Sequence, residues 1–80
     1  MAELTREEVI ARVESDESLE GEDLSGLDLS EANLSGSGLS GAKLTGANLT
    51  GATLTETNLR YAIYDPEYLE YAINADKAIL

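Results

Sequence analysis

Residues 19–59 read LEGEDLSGLDLSEANLSGSGLSGAKLTGANLTGATLTETNL. Leucine recurs there every fifth residue, at Leu19, Leu24, Leu29, Leu34, Leu39, Leu44, Leu49, Leu54 and Leu59. A period of five is not helical, because a turn of about 3.6 residues would scatter these side chains around the axis. It is not that of a simple strand either, where side chains alternate with period two. Self-similarity at a fixed short period marks a repeat architecture, in which each unit buries its apolar face against its neighbours.

The other positions of the unit are also ordered. Two residues before the leucine stands a small side chain, at Ala32, Ala42, Ala47 and Ala52, and again at Ala62. One residue before it is often Asp or Asn, as at Asp23, Asp28, Asn33, Asn48 and Asn58. One residue after it is serine from Ser25 to Ser40 and threonine from Thr45 to Thr55. Two residues after it is glycine at 21, 26, 36, 41, 46 and 51. The unit A-(N/D)-L-(S/T)-G resembles the motif of the pentapeptide-repeat family over about residues 17–61. The resemblance implies an all-β solenoid, a right-handed quadrilateral parallel β-helix in which four pentapeptides make one square coil. The leucine and the small residue point inward, and glycine suits the corner because it tolerates positive φ.

The sequence carries its own check on the coil length. The small position fails mainly at Glu17, Ser37 and Thr57, which are spaced by 20 and would stack on one face. Leu19, Leu39 and Leu59 would then form one inner ladder, and Leu24, Leu44 and Tyr64 another. Leu29 would lie over Leu49 and Leu34 over Leu54. Some units depart from the pattern: Glu22 and Leu27 replace alanine, Gly38 replaces the polar residue, and Glu31 and Glu56 replace glycine. The repeats amount to about two and a half coils, stacked at roughly 4.8 Å.

The flanks read as caps on a single domain of 80 residues. Residues 1–16 are assigned to an N-terminal capping helix, 17–64 to the solenoid and 65–80 to a C-terminal capping helix and terminal segment. Thr5 and Glu8 form a capping box, and Leu4 with Val9 a hydrophobic staple. Val9, Ile10 and Val13 make a stripe that would lie over the first coil. Asp65 and Pro66 read as N-cap and first helical residue, followed by an apolar face of Leu69, Ala72 and Ile73. Ala75 to Leu80 then returns as an extended segment, a last partial strand ending in Ala78, Ile79 and Leu80. Two caps blunt the strand edges that an open β-helix would present.

Composition points to a small soluble domain with no transmembrane span and no secretory signal, placed in the cytoplasm. Cysteine is absent, so no disulfide framework exists. The net charge is −11, and residues 1–31 alone carry −9, against +1 for 32–55 and −3 for 56–80. That sign disfavours binding to nucleic acid. Acidity also raises DNA mimicry toward a type II topoisomerase, a property of some pentapeptide-repeat proteins, but here it is gathered on the caps and first coil rather than along a rod.

Neither histidine nor cysteine is present, and a serine nucleophile would need a base that only carboxylates or Lys43 and Lys77 could supply. The stretch from Asp16 echoes a calcium loop but has Leu27 where the closing glutamate belongs. No catalytic, cofactor or metal residue is assigned. Asn33-Leu34-Ser35 and Asn48-Leu49-Thr50 match glycosylation sequons as by-products of the repeat. Tyr61, Tyr64, Tyr68 and Tyr71 pack the C-terminal cap or form a contact patch. The chain reads as a non-enzymatic structural or protein-interaction module, natural or engineered, with an unidentified protein partner if any. The alternative is an acidic DNA mimic. A monomer is expected, because one narrow C-terminal apolar face can cover the last coil or meet a second copy, but not both; the resemblance to pentapeptide-repeat proteins leaves a dimer through the C-terminal cap as the alternative.

Overall fold

The computed structural model describes residues 4–80. The chain opens with helix α1, Arg6–Glu14. Its capping box is formed: the Glu8 N–H donates to Thr5 Oγ1 at 3.2 Å, and the Thr5 N–H to Glu8 Oε1 at 2.9 Å. Val9 is fully buried, and Leu4, Ile10 and Val13 pack beside it against the core. Two arginines tie α1 to the first coil. Arg12 Nη1 meets Glu22 Oε2 at 2.7 Å, and Arg6 Nη1 donates to the Asp28 carbonyl at 2.8 Å.

From residue 17 onward the backbone winds in coils of 20 residues. Asp23, Asp28, Asn33 and Gly38 form parallel bridges to Lys43, Asn48, Thr53 and Asn58, each 20 positions on. Four bridging positions per coil give four faces. Pairing follows one rule, illustrated by the first face: the Lys43 N–H donates to the Glu22 carbonyl, and the Leu24 N–H donates to the Lys43 carbonyl. A bridging residue thus faces the coil below it with both its own polar groups, while its two neighbours face the coil above. Among the described residues every bridge is isolated, and no continuous strand or sheet forms.

The reason is the turn that follows each leucine. Leu24 C=O accepts from the Leu27 N–H, and the same i to i+3 bond recurs along the repeat. The third residue of each turn has positive φ, +70° at Gly21 and +73° at Gly26, the signature of a type II turn. Each face therefore has room for little more than one paired residue before the chain bends. The corner conformation recurs at every fifth position from Asp16 to Tyr61, including the non-glycine Glu31, Glu56 and Tyr61.

The next corner in register would be residue 66, and it is proline. Its ring holds φ near −65°, so the left-handed corner cannot form there. A 3₁₀ helix, Pro66–Tyr71, replaces that face of the third coil, with the Asp65 side chain accepting from the Glu67 N–H. The expected helix start is in place, but the helix is 3₁₀ and stops at Tyr71. Its expected apolar face of Leu69, Ala72 and Ile73 does not form. Leu69 packs on the core, whereas Ile73 points outward and bridges Thr53. The extended return expected from Ala75 begins later: Ala75–Lys77 is a second short 3₁₀ helix, entered through Asn74 at positive φ, and then Ile79 bridges Asn58. Most of the segment expected to cap the solenoid therefore completes its third coil, and the stack reaches beyond two and a half coils.

The nine leucines of the five-residue period, Leu19 to Leu59, are all buried, as are Ala32, Ala42, Ala47 and Ala52, whereas Leu27 is only partly buried. Ser37 and Thr57 are also buried, and both hydroxyls donate to the Leu34 carbonyl at 2.6 Å. Glu17 does not join their stack: its side chain is exposed and its N–H donates to Arg12 C=O. At an Ala-less inward position a hydroxyl can find a backbone acceptor nearby, but a carboxylate at the coil's outer edge gains more from water.

Candidate functional site

With the interior filled, chemistry is confined to the outward positions and the two ends. On the four faces the outward side chains stack as Asp23, Lys43 and Ile63; Asp28 and Asn48; Asn33, Thr53 and Ile73; and Gly38, Asn58 and Ile79. The lower coils present polar groups, whereas the last coil presents isoleucine on three faces.

The Asp and Asn residues before the leucines have a local role that the sequence reading did not assign. Asp23, Asp28, Asn33, Asn48 and Asn58 each accept, through Oδ1, the N–H two residues on, at 3.0–3.1 Å. These are Asx turns, which satisfy an outward amide at the edge of these five corners. The spacing of Asp or Asn two positions before Ser or Thr was the available signal. In two units the serine hydroxyl adds a second bond, from Ser25 to Asp23 and from Ser30 to Asp28, both at 2.6 Å. The hydroxyl bond first, and the amide bond second, hold both carboxyls below their ordinary value of 3.8. These Asp–Ser pairs resemble a nucleophile beside a base only on paper, since each carboxylate is engaged by its own turn.

The N-terminal end is closed by α1. Beside its C-terminus lies an indentation of about 220 Å³, lined by Val13, Asp16, Glu17, Ser18 and residues 35–38. No three acidic, histidine or cysteine side chains among the described residues converge to hold a metal ion. The acidic run from Asp16 is spread around the first coil: Asp23 and Asp28 serve their turns, and Glu22 pairs with Arg12.

The C-terminal end differs. Ala62, Tyr64, Leu69, Ala72 and Ala78 are only partly covered, and Leu80 is 65% exposed. Of the expected tyrosine cluster, Tyr64 leans on the core while Tyr61 and Tyr71 stand out at 89% and 66% exposure. Tyr71 and Lys77 hold the last coil through their carbonyls, which accept from Gly51 and Glu56 N–H. No helix among the described residues is long and apolar enough to cross a membrane.

The family model for pentapeptide repeats matches residues 23–60 as eight copies. No curated protein and no solved structure matches the chain. The matched span begins at the first bridging residue and ends with the last unit before the Tyr61 corner, which is the stretch where each leucine of the five-residue period is buried and each turn keeps its register. By their repeat, their 20-residue register and this match, residues 23–60 are a run of pentapeptide repeats.

Proposed function

We propose that the chain is a non-enzymatic structural or protein-interaction module, a minimal solenoid of the right-handed quadrilateral β-helix kind. The observation that carries this reading is the use to which the polar groups are put. The Asp–Ser pairs close turns, the buried Ser37 and Thr57 hydroxyls bond to Leu34, and Arg12 anchors the N-terminal helix. What remains for recognition is a rigid array of outward side chains, repeated at about 4.8 Å along each face. Such a surface suits protein contact better than chemistry, which needs convergent groups. A cytoplasmic setting is part of the same proposal.

The competing reading is a DNA mimic directed at a type II topoisomerase. Its acidity would have to follow the regular charge spacing of a duplex along a rod. Here the acids cluster in residues 1–31, and the middle of the solenoid carries only Lys43. A supercoiling assay with a type II topoisomerase separates the readings. Unchanged supercoiling in the presence of excess chain is expected. Inhibition that survives heat-denatured controls would favour the mimic.

A further inference from the structure

Departures from the repeat gather in the coil that meets α1. In the second coil the inward small positions hold Ser37, Ala42, Ala47 and Ala52, whereas in the first they hold Glu17, Glu22, Leu27 and Ala32. Glu22 thus stands in register with an inward alanine, yet its carboxylate meets the Arg12 guanidinium at 2.7 Å, the two side chains being only 29% and 33% exposed. Arg6 fills a second gap. The carbonyl of a bridging residue faces away from the coil above it, as Lys43 C=O does in accepting from Leu24 N–H. At Asp28 no earlier coil supplies that donor, and the Arg6 guanidinium donates instead at 2.8 Å. The first coil is shaped to seat a helix, with two arginine latches.

The same seat is loaded with like charge. Residues 1–31 carry −9, and Arg6 and Arg12 are the only bases before Lys43. Glu7 and Glu14 on α1, and Glu17, Glu20 and Glu31 on the first coil, are exposed. Two opposing forces therefore act on α1, and their ranges differ. The Arg12–Glu22 pair is in contact and largely out of water, so dissolved ions screen it little. Repulsion among the exposed acids crosses solvent and is screened strongly. At about 0.01 M salt the Debye length is roughly 30 Å, longer than the molecule's extents of 26 × 23 × 22 Å. At about 1 M it falls to roughly 3 Å, and the repulsion is lost while the latches stay.

We infer that α1 is a salt-gated lid, which lifts from the first coil as ionic strength falls while the coils above stay paired. The sign is opposite to that of a lid held by exposed ion pairs, which salt loosens. The upper coils are spared because residues 32–55 contain no acid. Between lid and coil lies an exposed stretch, Ser15 to Ser18, with Asp16 at φ +60°. A helix of nine residues is too short to keep its turns in water without its seat. Lifting and unwinding therefore coincide, and together they bare the core under Val9 and free the Asp28 carbonyl.

Amide hydrogen exchange of the full chain, resolved by residue in about 0.01 M and about 1 M sodium chloride, tests the gate. The lid reporters are the Val9 and Ser15 N–H groups, bonded to the Thr5 and Ala11 carbonyls. The references are Leu39 and Leu44 N–H, which pair with the carbonyls of Asn58 and Ile63. Relative to the references, the lid amides should exchange at least about fivefold faster at the lower salt. Glu17→Gln with Glu20→Gln, both outside the helix, should remove much of that difference. Arg12→Gln should speed lid exchange at both salts. Lid amides that exchange more slowly at low salt overturn the inference, as do lid amides that match the references at both salts. A salt response untouched by the paired glutamine variant overturns it too. Should Arg12→Gln fail to fold, the wild-type salt response and the paired variant decide.

Discussion

The two ends of this solenoid solve the same problem in different ways. At the N-terminal end a separate element, α1, lays Val9 over the first coil and is fastened by Arg6 and Arg12. At the C-terminal end no separate element among the described residues covers the stack. The chain spends its last 16 residues, interrupted by two 3₁₀ helices, on finishing a coil whose inner side chains stay partly exposed. The difference is traceable to two residues. Thr5 starts an α-helix before the first corner, whereas Pro66 stands at a corner and prevents it. A helix placed outside the repeat is a lid, and a helix forced into the repeat is a detour.

The largest effect that separates covered from uncovered positions should come from the leucines. Leu39→Ala in the middle coil is expected to destabilise by about 2–5 kcal/mol, since its cavity cannot collapse between two coils. Leu80→Ala at the open end should cost less than roughly 1 kcal/mol, because that side chain is largely in water already. Chemical denaturation of both variants checks the contrast, and equal losses would mean that the C-terminal end is as well covered as the middle.

Next in size is the lid itself. Val9→Ala should destabilise by about 1–3 kcal/mol, and removal of residues 1–15 should produce association or unfolding by exposing the first coil. A truncated chain that stays in its original oligomeric state with an unchanged melting temperature would deprive α1 of that role.

Corner geometry gives a smaller, signed test. Gly46 has φ +74°, so Gly46→Ala should destabilise by about 1 kcal/mol even though its Cβ would meet nothing closer than 3.8 Å. Glu31 and Tyr61 hold the same conformation with side chains attached. Glu31→Gly and Tyr61→Gly should therefore raise stability by up to about 1 kcal/mol. Thermal melts in which all three changes act in one direction would contradict a common corner.

The smallest effect is a pH dependence. Asp23 and Asp28 have folded pKa values below the ordinary 3.8. Their contribution is present above the unfolded value and is lost as pH falls through the lowered one. Acid titration of stability should therefore show a loss beginning near pH 4 that is shallower in Asp23→Asn with Asp28→Asn, where the amide oxygen can keep the turn. An unaltered acid limb in that variant would show that the two carboxylates do not report on folding.

The leucine period made the interior legible residue by residue, because only inward positions demand one side-chain type. The coil length was implied by the resemblance, and the 20-residue spacing of Ser37 and Thr57 supported it, although Glu17, counted with them, stays outside their stack. The capping box was equally readable, since Thr5 and Glu8 act on each other locally. The C-terminal end was misjudged where two periods compete. Leu69, Ala72 and Ile73 satisfy a helical stripe, but Ala62-Ile63, Ala72-Ile73 and Ala78-Ile79 repeat a small residue followed by an outward one. The second pattern prevails because each isoleucine gains cross-coil hydrogen bonds, which a lone helical turn would not supply. Pro66 held the further clue that position 66 was a corner. The outward end surface was illegible for another reason: exposure of Ile63 depends on what lies above it, and the repeat is silent about its own last member.

The 20-residue register also governs how the chain can fold as it is made. The first bridge joins Asp23 to Lys43, so the opening coil has no partner until the second is being laid down. Apart from α1, every early contact must close a loop of that length before any pairing offsets the lost chain entropy. During synthesis, residues 17–42 are thus expected to wait as an open segment, and then to zip coil by coil once Lys43 is free to pair. A nascent chain halted before Lys43 should be as sensitive to protease as an unfolded one, and a chain halted after Asn58 should resist.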